Sequence, residues 1–202
     1  MPKIEKLVAA TANPGKLGEM QRLLEDVGID VLSLDGFSGI EEVEETGSTF
    51  EENACLKALA YSQQTALPCV ADDSGLEVEA LDGAPGVYSS RYAGPGAGSR
   101  DLCEKLLREM GKVPEGKRSA TFRCFIALAA DGETALGAQG EVRGRIIHEM
   151  RGNRGFGYDP VFIPEGRDRT FAQMGPEEKD SLSHRGKALA AFKTKLKALL
   201  VE

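Results

Sequence analysis

Three parts of this chain combine residue types that could bind a phosphorylated ligand and a metal ion. The first is the turn 11–16, Thr-Ala-Asn-Pro-Gly-Lys, which follows an apolar run and precedes a helical pattern. Amide N–H groups at a helix start lie at the positive end of the helix dipole, so such a turn can bind phosphate. Asn13 suits the capping position, Pro14 the first helical position, and Lys16 adds a mobile charge. The alternative is an ordinary strand-to-helix connection with a solvated lysine.

This turn is not a Walker P-loop, although Gly15 and Lys16 resemble the end of that motif. The motif G-x-x-x-x-G-K-[ST] requires a glycine where this chain has Ala10 and a hydroxyl where it has Leu17. The signal therefore needs support from other parts of the chain.

The second part consists of carboxylates. Asp72 and Asp73 directly follow a short apolar run, and an acidic loop at 41–47 contains Glu44 and Glu45. Successive side chains point in different directions, so we expect only one of the two aspartates to face a ligand. Mg²⁺ accepts one or two carboxylates plus water and substrate phosphates, which Glu44 or Glu45 together with Asp73 would supply. The alternatives are a turn sequence and a solvated acidic loop.

The third part lies near the C-terminus. Ser183 is a natural helix cap, which places His184 and Arg185 in a first helical turn, where cations oppose the helix dipole. Arginine only donates hydrogen bonds, so a buried Arg185 would select a keto oxygen over an amino group. Phe156 and Tyr158 are flanked by glycines, which suits stacking on a flat base; the alternative is an aromatic plug under a loop.

Composition limits the class of protein. The 202 residues suit one domain or two closely joined lobes, and no apolar run approaches the roughly 18 residues of a membrane span. The net charge of −7 is the wrong sign for a protein that binds nucleic acid through its phosphates. Four cysteines and two histidines lack metal-site spacing, so a metal would be held by carboxylates. Without a secretory signal at Met1–Lys6, we expect a cytoplasmic protein.

The hydrophobic pattern predicts a mixed α/β sheet, because alternating strands and helices are followed by a hairpin. Helices are expected at 17–27 with a stop at Gly28, from a cap at Thr49 to about 65, at 102–110 and at 189–199. Strands are expected at 7–10, 30–34, 69–71, 118–130, 134–150 and 161–163. Asp131-Gly132 marks a hairpin turn, 72–75 a turn, and the glycine- and proline-rich segment 81–98 a long loop.

Six segments, in order and spread over nearly the whole chain, resemble the inosine triphosphate pyrophosphatase family, also called Ham1-like or non-canonical purine NTP pyrophosphatases. They are 11–16, 44–47 together with 50–54 and Lys57, 71–76, 83–86, 156–160 and 183–186. The resemblance implies that residues 1–202 form a single domain: an elongated, two-lobed α/β fold with a mixed sheet, flanking helices and a central nucleotide cleft. It also implies a homodimer and Mg²⁺-dependent hydrolysis of ITP, dITP, XTP and dXTP to the monophosphate and pyrophosphate.

The resemblance also implies roles for individual residues. Asp73 would act on the attacking water and, with Glu44 or Glu45, on the metal, and Ser74 would support the phosphate site. The triphosphate would be held by Thr11, Ala12, Asn13, Pro14, Gly15, Lys16 and Lys57. The base and sugar would be surrounded by Phe156, Gly157, Tyr158, Asp159, Lys179, His184 and Arg185.

Two other functions stay open at this point. A nucleotide sensor would bind triphosphate without turnover and would not need Asp73. A general Mg²⁺-dependent phosphatase would release inorganic phosphate and show no preference for the base. The sequence does not show whether ITP or XTP is preferred. It also does not show which group near C2 of the purine would exclude GTP.

Overall fold

A computed structural model describes residues 4–200, so the first three residues of the segment considered for a secretory signal lie outside the described residues. Within that range the strands are β1 (Lys6–Ala9), β2 (Asp30–Ser33), β3 (Cys69–Val78), β4 (Ser119–Ala130), β5 (Glu133–Ile146) and β6 (Phe162–Pro164). The α-helices are α1 (Pro14–Leu24), α2 (Phe50–Thr65), α3 (Ser99–Glu109), α4 (Pro176–Leu182) and α5 (His184–Leu199).

All six strands form one sheet in the order β2-β1-β3-β4-β5-β6. β1 pairs in parallel with β2 and β3, whereas β5 and β6 are antiparallel. Asp131 and Gly132 join β4 to β5 with positive φ angles of 53° and 83°, as a tight hairpin turn of the primed type requires. The predicted mixed α/β fold is confirmed.

The chain divides into two compact units. The first unit contains residues up to Asp73, Cys124–Gly140 and the chain from Arg185 onward, and the second contains Ser74–Arg123 and Glu141–His184. Each unit has buried hydrophobic clusters of its own. The single domain over residues 1–202 that the resemblance implies stays a prediction.

Helices cover both faces of β1 in the first unit. Leu7 and Ala9 pack into one buried cluster with residues of α1 and α5, while Val8 packs into another with Ala54 and Ala58 of α2. Because side chains alternate between the faces of a strand, a strand covered on both faces must be apolar throughout, as 7–10 is. The carboxyl end of β1 is therefore held firmly where the turn 11–16 begins.

An aromatic cluster forms part of the core of the second unit. The Phe122 ring lies edge-on to Phe162, with centroids 4.7 Å apart, and Phe162 stacks on Phe171 at 5.4 Å. His184 also stacks on Phe122, with centroids 4.6 Å apart and ring planes 6° apart. This buried histidine is thus fixed in orientation by packing.

The sequence prediction differs from the structure in three places, one of which is the strand expected at 134–150, which ends at Ile146. Residues 72–75 were expected to form a turn, but β3 continues through them to Val78, because Leu76 and Val78 alternate into the core of the second unit. Tertiary packing outweighs the low strand propensity of Asp, Ser and Gly here. The short helix α4 was not predicted, because its seven residues are too few to show a helical period.

Arg118 is a buried side chain without a carboxylate partner among the hydrogen bonds of the described residues. Its guanidinium donates to the carbonyl oxygens of Met110 and Val113 after α3 and of Ile146 and Ile147 at the end of β5, at 2.7–3.1 Å. It therefore joins the end of a helix to the end of a strand within the second unit.

We expect Arg118→Met to destabilise the protein by about 3 kcal/mol, because it leaves three buried carbonyl groups and one partly buried carbonyl group without their donor. Urea unfolding followed by circular dichroism measures the change. Lys117→Met, at the exposed neighbouring position, is the matched control and should change stability by less than about 0.5 kcal/mol. Equal unfolding midpoints for the two variants would contradict the role given to Arg118.

The helices within residues 4–200 are all too short or too polar to span a bilayer.

Candidate active site

The turn 11–16 forms the helix start that the sequence predicts. Asn13 is the N-cap of α1, its Oδ1 accepts hydrogen bonds from the amides of Gly15 (2.9 Å) and Lys16 (3.2 Å), and Pro14 occupies the first helical position. The Leu17 amide donates to the Asn13 carbonyl. These first-turn amides are thus used by Asn13 rather than left open to a phosphate. Lys16 adds a cationic side chain to this turn, and the contact of residues 11–16 with a triphosphate stays a prediction.

Asp72 links Lys16 to the start of α5. Its Oδ2 lies 3.1 Å from Lys16 Nζ and accepts from both Nε and Nη2 of Arg185, each at 3.1 Å. Asp72 is only 1% exposed, and burial alone would raise its pKa. The positive charges of Lys16 and Arg185 outweigh burial and hold the Asp72 pKa well below its ordinary value. Asp72 is therefore ionised at neutral pH and anchors both cations.

Glu19 holds the other side of Arg185. Arg185 Nη1 donates to Glu19 Oε2 at 2.6 Å, and both side chains are buried. The sequence analysis did not identify Glu19. The available signal was its spacing of three residues from Lys16, which puts the two on one face of α1. Arg185, expected at the base, is thus placed on two carboxylates of the first unit, and its contact with a base stays a prediction.

A second charged cluster surrounds Asp73 on the opposite side of β3. Lys57 Nζ donates to Glu45 Oε1 at 2.5 Å and lies 3.5 Å from Asp73 Oδ1. The other carboxylate oxygen, Asp73 Oδ2, accepts from Asn53 Nδ2 at 3.1 Å. Successive aspartates of one strand thus have different partners, as the alternation of side chains requires.

The pKa shifts distinguish the two aspartates. Burial raises the pKa of Asp73, and the negative charge of Glu45 raises it further against the opposing effect of Lys57. Burial would lower the pKa of Lys57, but the charges of Asp73, Asp72 and Glu45 outweigh it and raise that pKa. Asp73 is therefore the carboxylate of the pair with the greater tendency to accept a proton.

Asn53 is a second residue that the sequence analysis did not select for the site. It is fully buried in α2, and its Oδ1 accepts from the Gly47 amide at 2.7 Å while its Nδ2 donates to Asp73. It therefore connects the acidic loop to Asp73. Two features of the sequence could have identified Asn53. Asparagine is unfavourable inside a helix, and Asn53 lies four residues before Lys57, which puts both side chains on the same face of α2.

The donor set around Asp73 suits a hard divalent cation. Glu45 and Asp73 both present oxygens to Lys57 Nζ, whereas Glu44 is exposed to solvent. Among residues 4–200, no group of three or more metal-ligating side chains occurs. Two carboxylates, with substrate phosphates completing the shell, match the preference of Mg²⁺. The residues present therefore fit the expected metal. Glu45 rather than Glu44 lies near Asp73, and its binding of a metal stays a prediction.

The second unit contains the glycine-flanked aromatic loop. Lys179 Nζ lies 4.6 Å from the centroid of the Phe156 ring and donates to Asp159 Oδ2 at 2.7 Å. Asp159 also accepts from the Phe156 amide at 2.9 Å. Lys179 and Asp159 are buried while Phe156 is half-buried, so the loop offers an aromatic face beside a donor and an acceptor.

The two aromatic rings of this loop differ in their roles. Tyr158 is 3% exposed and its hydroxyl donates to the Ser89 carbonyl at 2.9 Å, so its ring supports the loop from below. Phe156 is the ring with an accessible face. The half-buried Ser74 follows Asp73 in β3, and Ser183 precedes α5 as expected.

Comparison with known proteins decides the family. The model of the Ham1 family matches residues 7–195. The chain belongs to the Ham1 family.

Individual relatives support this assignment over nearly the full length of the chain. The chain is 48% identical to a dITP/XTP pyrophosphatase of Desulfotalea psychrophila over 190 residues, which cover 94% of this chain and 84% of that protein. It is 44% identical to the dITP/XTP pyrophosphatase of Bacillus subtilis over 195 residues, covering 96% and 98% of the two chains.

Solved structures of Ham1 proteins share the fold. The Ham1 protein of Coxiella burnetii superposes with a TM-score of 0.87 at 44% identity, covering 96% of this chain and 98% of that one. The Ham1 protein of Staphylococcus aureus superposes with a TM-score of 0.84 at 39% identity, with coverage of 96% and 99%. The mixed α/β fold is therefore that of the Ham1 family.

Proposed function

We propose that this Ham1 protein hydrolyses ITP, dITP, XTP and dXTP to the monophosphate and pyrophosphate. The observation that carries the proposal is the cluster in which Lys57 lies between Glu45 and Asp73. Asp72, the neighbour of Asp73 in β3, pairs with a second lysine, Lys16. Two carboxylates and two lysines suit a triphosphate bound with a divalent cation. The names of the relatives supply the substrate class.

The charged cluster of the first unit would act on the phosphates. We assign Lys16 and Lys57 to the triphosphate, where their charges would stabilise the departing pyrophosphate. Asp73 accepts the proton of the water that attacks the α-phosphorus, as the bond from that phosphorus to the bridging oxygen breaks. Asn53 keeps the Asp73 carboxylate in place through its hydrogen bond. Mg²⁺, held by Asp73 and Glu45, would neutralise phosphate charge and position the triphosphate.

The aromatic loop of the second unit would act on the base. Phe156 provides a stacking face, and Lys179 provides a donor that suits the 6-keto oxygen of hypoxanthine or xanthine. Adenine presents an amino group at that position, which would leave a buried donor unpaired and can cost a factor of about 10⁴ in kcat/KM. His184, stacked on Phe122, and Arg185 stay candidates for the same role.

Product identification tests the proposed function. The wild-type protein is incubated with ITP, XTP, ATP and GTP in the presence and absence of Mg²⁺, and the nucleotide and phosphate products are separated. We expect the monophosphate and pyrophosphate from ITP and XTP only, and only with Mg²⁺. Binding without turnover would indicate a sensor, and release of inorganic phosphate with no base preference would indicate a general phosphatase; either result would refute the proposal.

We expect Lys16→Ala to raise KM for ITP by about 10- to 100-fold, because the variant loses one charge-assisted contact to phosphate. The kcat should fall less, because Asp73 and its partners are untouched. Steady-state pyrophosphate release measures both constants. The control is Lys197→Ala, which removes a lysine that pairs with Asp26 on the surface. A KM equal to that of the control would show that Lys16 does not contact the triphosphate.

The resemblance also supports a homodimer, and the cytoplasmic location stays a prediction. Sedimentation equilibrium tests the assembly: a mass near twice the chain mass of 21.6 kDa is expected.

A further inference from the structure

The aromatic loop is attached to α3 at Gly157. The Gly157 amide donates to Ser99 Oγ at 2.8 Å, and the Gly157 carbonyl accepts from the Cys103 thiol at 3.3 Å. Ser99 is the first residue of α3 and Cys103 lies four residues later, so both side chains project from one face of that helix. Both backbone polar groups of Gly157 are thus bound by side chains of a single helix.

Gly157 is the position where this loop most needs such attachment. Its φ angle of +59° lies in the left-handed region, which glycine reaches without steric cost but which glycine also leaves easily. Rotation of the Gly157 peptide groups would move Phe156 on one side and Tyr158 on the other. The two hydrogen bonds from α3 oppose that rotation because each is lost when the peptide groups turn.

The residues around Gly157 are already fixed by other contacts. Asp159 binds the Phe156 amide and Lys179, and Tyr158 binds the Ser89 carbonyl. A side chain at Gly155 would collide with the Asp159 carboxylate, so the backbone is closely fitted there as well. Gly157 therefore has the greatest backbone freedom in an otherwise fixed loop, and its two hydrogen bonds to α3 determine its conformation.

We propose that Ser99 and Cys103 are positioning residues for purine-base recognition. They hold Gly157 so that the Phe156 ring and the Lys179–Asp159 pair are in place before the nucleotide binds, which reduces the entropy lost on binding. The inference rests on the proposed function, since it requires that this loop contacts the base.

Cys103 is suited to a permanent donor role. Burial, together with the nearby charges of Asp159 and Glu104, raises the pKa of the Cys103 thiol to about 12. The thiol therefore keeps its proton across the range in which the protein would be assayed, and its hydrogen bond to Gly157 does not titrate.

Two probes separate positioning of the base from general loss of structure. ITP carries both a triphosphate and a base, whereas inorganic tripolyphosphate has no base and tests only phosphate binding. We would measure KM and kcat for ITP, and the inhibition constant of tripolyphosphate, for Ser99→Ala, Cys103→Ala and the double variant. Ser99→Thr keeps the hydroxyl, and Cys103→Ser replaces the thiol with a hydroxyl that can donate the same hydrogen bond. Arg100→Ala, an exposed position of α3, is the matched control.

We expect each alanine variant to raise KM for ITP roughly fivefold, as the loss of one hydrogen bond predicts, and the double variant to raise it more. The inhibition constant of tripolyphosphate should stay within about twofold of the wild-type value, which is less than the loss of one hydrogen bond produces. The Ser99→Thr and Cys103→Ser variants and the Arg100→Ala control should behave like the wild type.

The possible failures are distinguishable. If the wild type hydrolyses ITP and the double alanine variant has an unchanged KM, the positioning role is refuted while the proposed function stands. If KM for ITP and the inhibition constant of tripolyphosphate rise together, the two residues serve folding in general and the inference is also refuted. If the wild type releases no pyrophosphate from ITP, the proposed function fails and this inference fails with it.

Discussion

Replacing Asp73 by asparagine should lower kcat for ITP about 10³-fold or more. The asparagine keeps the size of the side chain but can neither accept the proton of the attacking water nor bind a cation as a carboxylate does. General-base assistance contributes about 10²- to 10⁴-fold, and loss of a metal ligand adds to that. Pyrophosphate release at saturating ITP and Mg²⁺ measures the effect.

Unfolding measurements and a control variant decide whether the loss of activity comes from lost chemistry or from unfolding. The Asp73→Asn substitution replaces a group with a raised pKa, so removing its charge should not destabilise the fold, and the unfolding midpoint should stay close to that of the wild type. Asp82→Asn, at an exposed residue with a positive φ angle that asparagine tolerates, is the matched control and should keep full activity. Activity of the Asp73→Asn variant within about tenfold of wild type, well short of the 10²- to 10⁴-fold expected for a general base, would remove Asp73 from the mechanism.

Local signals in the sequence were sufficient for much of the scaffold. The cap at Asn13, the stop at Gly28 and the turn at Asp131-Gly132 each depend on a few adjacent residues, and the structure confirms all three. Gly28 ends the 3-10 helix Glu25–Val27 that directly continues α1. Such features can be predicted because the interaction that stabilises them is complete within one turn of chain.

Partners far apart in the sequence could not be predicted in the same way. Arg185 meets Glu19 across 166 residues and Asp72 across 113, and no local pattern indicates either pairing. The extension of β3 through 72–75 has the same origin, because packing against the core of the second unit determines it. The resemblance to a family supplied the segments that contain Asp72, Asp73 and Glu45, but not Glu19, which holds the other side of Arg185.

The same limit explains the difference between the two aromatic residues of the loop. Phe156 and Tyr158 are similar in their sequence context. Phe156 lies between two glycines, and Tyr158 lies between a glycine and Asp159. Only the position of Ser89, far away in the chain, makes Tyr158 the buried ring with a bound hydroxyl. The sequence therefore predicted a loop with two aromatic residues. Only the contacts of the folded chain show that Tyr158 is the ring that supports the loop.

The neighbouring aspartates show how one strand can serve stability and chemistry at once. Asp72 lies among cations that lower its pKa, so it keeps its charge and fixes Lys16 and Arg185. Burial and the neighbouring charge of Glu45 raise the pKa of Asp73, one residue later, which suits proton transfer. Because successive side chains face opposite sides of a strand, the two environments can differ so strongly at adjacent positions.

Asp72→Asn should therefore be the substitution of this region with the largest effect on stability. It leaves the buried Arg185 guanidinium with a weaker partner, and breaking a buried ion pair costs about 3–5 kcal/mol. Urea unfolding at pH 7 measures the loss, with Asp82→Asn again as the exposed control. A loss below about 1 kcal/mol, the upper range of a surface ion pair, would show that Asp72 does not anchor the cluster.

The pH dependence of this loss has a definite sign. Because the folded-state pKa of Asp72 is lowered, its contribution is fully present above the unfolded-state pKa of about 3.9 and declines as the pH falls from there toward the folded-state pKa. The difference in unfolding free energy between wild type and Asp72→Asn should thus be constant from pH 8 to about pH 5 and shrink below about pH 4. A difference that stays constant into that acidic range would contradict the lowered pKa, and one that grew there would reverse the proposed electrostatics.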